Sequence, residues 1–133
     1  MRFDFTGLGE SEGDFSGSNF SSNVEDLIAA AKWLKQEQQI PSILIGHSFG
    51  GAAVLQAAVQ LPDIRAVVTI AAPFDPEHVT HLFTGSLEQI KQEGEAKVSL
   101  AGRQFRFRRQ FFIDLSEQQV EEQIGKLKAA LLV

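Results

Sequence analysis

Phenylalanine alternates with polar residues at the start of the chain, in Arg2-Phe3-Asp4-Phe5-Thr6. A two-residue period of this kind predicts a short strand over residues 2–6. It runs directly into Gly7-Leu8-Gly9, and the stretch from Gly7 to Ser22 is rich in Gly, Ser, Glu and Asn. That is a long loop, a class of segment that is often functional in compact domains. The period then changes. Val24, Leu27, Ile28, Ala31 and Leu34 recur at helical spacing, with Asn23 as a cap-type residue, Glu25 and Asp26 in the first turn, and Gln38-Gln39-Ile40-Pro41 as the stop. Ser42-Ile43-Leu44-Ile45-Gly46 is apolar without alternation, which predicts a strand buried on both faces. Residues 49–60 form a second helical stretch, rich in alanine (Ala52, Ala53, Ala57, Ala58) and so able to approach a sheet closely. After Leu61-Pro62-Asp63, a second buried-strand run covers Arg65 to Ala72 and is stopped by Pro73.

Strand, helix, strand, helix, strand is the order of an α/β fold, a parallel sheet flanked by helices. Past Pro73 the pattern is mixed. Residues 78–93 read as helix. Lys97 to Leu100 and Arg103 to Arg108 read as a hairpin with Gly102 in its turn. Ser116 to Lys128 reads as a helix, with Ser116 and Gln119 matching a capping box. Ala129 to Val133 opens another buried strand. The expected organisation is a single partial domain over 1–133. Its core is 1–73, residues 74–116 form a lid or cap excursion carrying the hairpin, and 117–133 supply a helix and the start of the next strand.

Composition narrows the function classes. A chain of 133 residues suits one compact domain, and 44% hydrophobic with 22% charged residues is ordinary globular usage. The net charge of −5 argues against a nucleic-acid partner. The one basic cluster, Arg103, Arg106, Arg108 and Arg109, interleaves with Phe105 and Phe107 as a half-exposed strand does. No cysteine is present, which excludes disulfides, thiolate zinc sites and a cysteine nucleophile and fits a cytoplasmic location. No leader-type apolar region and no run of about 18 apolar residues occurs, so a soluble protein without a membrane span is expected. Asp4, Glu10, Glu12 and Asp14 lack the spacing of a calcium loop and read as a solvated acidic face.

Chemistry concentrates at Gly46-His47-Ser48-Phe49-Gly50, a G-x-S-x-G pattern between an apolar strand and a small-residue helix. A serine nucleophile in such a place must stand on a tight strand-to-helix turn. Residues two positions away on either side must be small, which Gly46 and Gly50 satisfy, and Gly51 adds clearance. The turn lifts the Ser48 hydroxyl above the sheet. It also sets the Phe49 backbone N–H at a helix N-terminus, where it can stabilise a tetrahedral oxyanion.

These residues resemble the α/β-hydrolase fold family. Asp4-Phe5-Thr6-Gly7-Leu8-Gly9-Glu10-Ser11 resembles its post-strand loop D-x-x-G-x-G-x-S, Gly46 to Gly51 its nucleophile elbow, and Ala71 to Pro76 the strand end that follows. Residues 2–13 and 94–110 are similar, more narrowly, to the hydrolase half of bacterial proteins that fuse such a domain to an OsmC-like domain. The resemblance implies that Ser48 is the nucleophile and that the Phe49 N–H is the first oxyanion donor. His47 fills the variable position before the nucleophile. It also implies that the second oxyanion donor precedes Arg2 and that the acid and histidine follow Val133, so the sequence reads like a hydrolase cut at both ends.

Internal substitutes are few. His47 points away from Ser48 on a strand. Asp75, His78 and His81 give the order Ser48, Asp75, His78, but lie too close together in sequence to fill acid and base roles from separate loops, and surface histidines are the plainer reading. They form no metal site, since no third ligand stands at a suitable spacing. The expected function is a serine hydrolase acting on an ester, thioester or amide, with a small acyl compound as partner and no cofactor or metal. The isolated chain is expected to be weak or inactive for want of an acid, a base and a second oxyanion donor. The competing reading is a non-catalytic remnant or binding module of hydrolase ancestry. A homodimer is one way to cover the exposed edges of so short a sheet.

Overall fold

A computed structural model describes residues 1–100 and 102–133. These residues form two compact units: residues 1–20 with 77–117, and residues 21–76 with 118–133.

The second unit holds the parallel sheet. Strands β1 (Ile43–His47), β2 (Ala66–Ile70) and β5 (Ala130–Leu132) lie in the order β1-β2-β5, all parallel. Register sets Ile43 opposite Ala66, His47 opposite Ile70 and Val68 opposite Leu132. Helix α2 (Phe49–Val59) packs on β1 and β2 and lies beside α5 (Val120–Lys126). Its alanines do what the sequence predicts. Ala52, Ala53 and Ala57 are fully buried, with Val67 and Thr69 buried in the adjoining strand. A buried Val67 side chain is worth about 2 kcal/mol. The opposite face of the strands differs from the expectation of burial on both sides. Ile45 is 66% exposed, Ile43 56% and Leu132 64%. The reason is the alternation of the pleat: Leu44, Gly46, Val67 and Thr69 point to α2, while Ile43, Ile45 and Leu132 point to the other face, which is exposed.

The first unit is built around the antiparallel hairpin of β3 (Glu95–Leu100) and β4 (Arg103–Arg108). Gly102 takes φ +78 in the turn, as a hairpin glycine should; its neighbour Ala101 lies outside the described residues. The strand β4 alternates as expected. Phe107 is buried and Arg106 and Arg108 are exposed, pairing with Glu95 at 3.0 and 3.7 Å. Phe107 stands edge-on to Phe83 (4.6 Å between ring centroids) and Phe111 (4.9 Å), the geometry that ring quadrupoles favour. Two short helices complete the unit, α3 (Leu87–Glu93) and α4 (Arg109–Ser116). A 3-10 turn at Phe15–Gly17 lies along β4.

Several boundaries differ from the sequence reading. Residues 2–6 form no strand. A strand exists only through hydrogen bonds to a neighbour, and none among the described residues pairs with them. Helix α1 runs from Phe20 to Gln36, so Asn23 is buried within its first turn instead of capping it. Phe20 falls four residues before Val24 and extends the apolar stripe backwards. The helix expected over 78–93 is a 3-10 helix at Pro76–Phe83 and then α3, interrupted at Thr84-Gly85-Ser86. Ser116 ends α4, donating its hydroxyl hydrogen to the carbonyl of Ile113, and so caps nothing downstream; α5 starts at Val120.

Candidate active site

Between the last residue of β1, His47, and the first of α2, Phe49, a single residue makes the turn. Ser48 does so with φ 51 and ψ −125. A side chain in this region of backbone space costs about 1–3 kcal/mol and persists only where its surroundings dictate it. Here they do. The Ser48 N–H donates to the carbonyl of Ile70 on β2 at 2.8 Å. The Ser48 carbonyl accepts from the N–H of Gly51 at 2.8 Å and of Ala52 at 3.4 Å. The turn is therefore locked to the neighbouring strand on one side and to the first turn of α2 on the other.

The flanking glycines are required by space. A Cβ on Gly46 would lie 2.3 Å from the Gly50 carbonyl oxygen and 2.7 Å from the Gly51 Cα, both backbone atoms that cannot swing aside. A Cβ on Gly51 would lie 2.6 Å from the Ala72 Cβ. Gly46 is thus needed because strand end and helix start touch backbone to backbone, and Gly51 because it faces Ala72.

The Ser48 side chain is exposed, and among the described residues its hydroxyl has no hydrogen-bond partner. Phe49 occupies the first position of α2, where backbone N–H groups point out of the helix. A second strained position escaped the sequence reading. Ala71 takes φ +49 directly after β2, next to the Ile70 carbonyl that holds Ser48. Alanine carries no signature of a left-handed backbone, so no pattern in the sequence could have marked it.

The other expected groups fall in different places. Asp75 follows β2 in the same unit as Ser48. His78 and His81 belong to the other unit, on the 3-10 helix Pro76–Phe83, both exposed, with rings edge-on at 4.8 Å. His47 is exposed on β1. Among the described residues no group of three or more His, Cys, Asp or Glu could hold a metal ion. Asp4 and Asp14 have structural partners instead. Asp4 accepts the Glu10 N–H at 3.2 Å, and Asp14 accepts both the N–H and the hydroxyl of Ser16, at 2.9 and 2.7 Å. The Ser16 hydrogen bonds, aided by the positive charges of Arg108 and Arg106, hold the Asp14 carboxyl below its ordinary value of 3.8.

Known proteins carry the same frame. A family model described as "Serine aminopeptidase, S33" matches residues 1–123. Human mitochondrial palmitoyl-protein thioesterase ABHD10 is 29% identical over 97 residues, 73% of this chain and 30% of the relative. An uncharacterised protein of Rickettsia prowazekii is 31% identical over 80 residues, 59% of this chain and 33% of the relative. The chain thus spans about a third of the length of these curated relatives. Among solved structures, the esterase domain of a Rhodothermus marinus protein is 41% identical, with a TM-score of 0.61, over 90% of this chain and 49% of that one. Est1E of Butyrivibrio proteoclasticus, solved with ferulic acid bound, shares the fold at 23% identity and a TM-score of 0.73 over 96% of this chain and 52% of that one. Among the described residues no helix is long and apolar enough to cross a membrane.

Proposed function

The chain belongs to the serine aminopeptidase S33 family of α/β hydrolases, and from that premise we propose that Ser48 is a nucleophile for acyl transfer from an ester or thioester. The observation that carries this reading is the strained backbone of Ser48 itself, φ 51 on a one-residue turn between β1 and α2. Structure-neutral selection of a residue for that turn would favour glycine; a serine that tolerates the strain is one whose side chain is used. Identity of 41% to an esterase domain supports an ester as substrate, and the likeness to a palmitoyl-protein thioesterase supports a thioester.

In the proposed reaction the Ser48 oxygen attacks the acyl carbonyl while its proton passes to a base. The oxyanion is held in part by the Phe49 N–H. The bond to the leaving alcohol or thiol breaks, that group departs with a proton, and water then releases the acid and restores Ser48. No imidazole or carboxylate among the described residues is hydrogen-bonded to the Ser48 hydroxyl, and an unassisted serine hydroxyl is a weak nucleophile. The 133-residue chain alone is therefore proposed to react slowly.

Labelling with a fluorophosphonate, beside hydrolysis of a short p-nitrophenyl ester and of an S-acyl thioester, tests the assignment. The expected outcome is slow labelling of the native chain that disappears in Ser48→Ala. Equal labelling of native chain and Ser48→Ala would remove Ser48 from the chemistry. No labelling of either would favour the second reading, a binding module that keeps the elbow without turnover.

A further inference from the structure

Within the first unit, a cleft of about 530 Å³ runs between β4 and the loop at Gly7–Gly9, inside the range of small-molecule sites. Three arginines line it, Arg103, Arg106 and Arg108, against one carboxylate, Asp14. Glu95 pairs with two of them and the Asp4 carboxylate stands against Gly9, so the charges around the cleft nearly balance and Arg103 is the guanidinium left over. Two of the three are partly compensated. Arg106 is 3.0 Å from Glu95, and Arg108 lies 3.6 Å from Asp14 and 3.7 Å from Glu95. Arg103 has no ion pair among the described residues, and its guanidinium offers five donors and no acceptor.

The opposite wall contributes backbone. Gly9 takes φ +53, a conformation that favours glycine, and the end of the exposed Asp4 side chain stands where a Cβ would be. Around it the loop's N–H groups are used: Gly7 donates to Glu12, Leu8 to Phe5, Ser11 to Leu8 and Glu10 to Asp4. The Gly9 N–H has no acceptor among the described residues, and Gly9 lines the cleft. The same cleft is lined by Phe105 and Phe15, whose rings lie 5.1 Å apart.

From this juxtaposition of an uncompensated guanidinium, an unused amide and an aromatic pair, we propose that the cleft binds a small organic phosphate. The phosphate sits on Arg103 and the Gly9 N–H, and the organic group lies against Phe105 and Phe15. Arginine's planar fork suits phosphate, and charge-assisted hydrogen bonds are the strong ones. The proposal uses no property of Ser48 and stands or falls apart from the hydrolase reading.

The test is a two-dimensional NMR titration of the full chain with phenyl phosphate, with inorganic phosphate and phenol in parallel. Expected are saturable shifts at the Gly9 amide and the Arg103 side-chain N–H, affinity that falls with added salt, and binding weakened about tenfold or more in Arg103→Gln. Arg103 is exposed, so the variant should fold, and its spectrum reports whether it has. Phe105→Leu should weaken phenyl phosphate and leave inorganic phosphate unchanged. An unsaturated titration, or unchanged affinity in Arg103→Gln, overturns the site. Inorganic phosphate or phenol binding as tightly as phenyl phosphate overturns the organic-phosphate assignment.

Discussion

The loop at residues 7–13 and the turn at residues 46–51 both need backbone in the left-handed region, and they meet the need in opposite ways. The loop places every such residue on glycine: Gly7 at φ +73, Gly9 at +53 and Gly13 at +103. The turn places it on Ser48, at φ 51, and keeps its glycines at Gly46 and Gly51 for clearance alone. In the loop these positions present no side chain, so the residue that adopts the shape at least cost is present. In the turn, the chain accepts strain to present a particular side chain. Strain at a residue whose side chain can react, as at Ser48 and unlike Ala71, is the better pointer to chemistry.

The sharpest way to break this comparison is to add a single methyl group to each segment. Gly46→Ala puts a Cβ 2.3 Å from the Gly50 carbonyl oxygen, between a strand and a helix that are both packed. It should cost about 3 kcal/mol or more in urea unfolding. Gly7→Ala puts a Cβ 2.2 Å from the Phe15 nitrogen, also a backbone atom, and adds the cost of φ +73, but Gly7 lies in a half-buried turn with no strand or helix on either side of it to hold it in place. It should cost about 2 kcal/mol. A larger loss for Gly7→Ala would mean that the loop, not the turn, is the more rigid of the two.

Ser48→Gly asks whether the strain is real. If Ser48 pays for its conformation, glycine relieves it, and the variant should be about 1 kcal/mol more stable than the native chain while losing fluorophosphonate labelling altogether. Ser48→Ala loses the labelling without the gain, because alanine dislikes the same backbone. A Ser48→Gly variant less stable than Ser48→Ala would show that the turn is unstrained and would remove the main argument for the nucleophile.

How much of this was legible in the sequence follows from what each feature rests on. The turn was legible because two requirements coincide in local sequence, small residues at Gly46 and Gly50 and a strand-to-helix change of period. The parallel sheet was legible from the apolar runs of β1 and β2. The exposed face of that sheet was not, since Ile43 and Ile45 read the same whether or not a second layer covers them. Residues 2–6 alternate as a strand should, yet pairing depends on a neighbour that local pattern cannot report. Ala71 was invisible because its φ of +49 comes from its place after β2 and not from its side chain. The pairing of Asp14 with Ser16 was invisible for a milder reason: an acidic run looks like a solvated face whether or not one of its members caps a turn.

That cap supplies the smallest expected effect, and it refines the loop half of the comparison. Asp14 closes the glycine-bearing loop by accepting the Ser16 N–H and hydroxyl hydrogen, with Arg108 3.6 Å away. These partners favour the ionised carboxyl, so its folded-state pKa lies below the ordinary 3.8. A depressed carboxylate pKa contributes stability that is full above the unfolded value and lost as pH falls through the folded one. Asp14→Asn keeps an acceptor for the Ser16 N–H but has no charge to titrate. Thermal midpoints of the two proteins should therefore differ by a constant amount above about pH 5 and converge below about pH 4. The side chain is exposed and its pairing with Arg108 long, so the gap should be small and should shrink further in high salt. A gap that stays the same from acid to neutral pH would mean that the loop is closed by the geometry of its glycines alone, without help from the charge of Asp14.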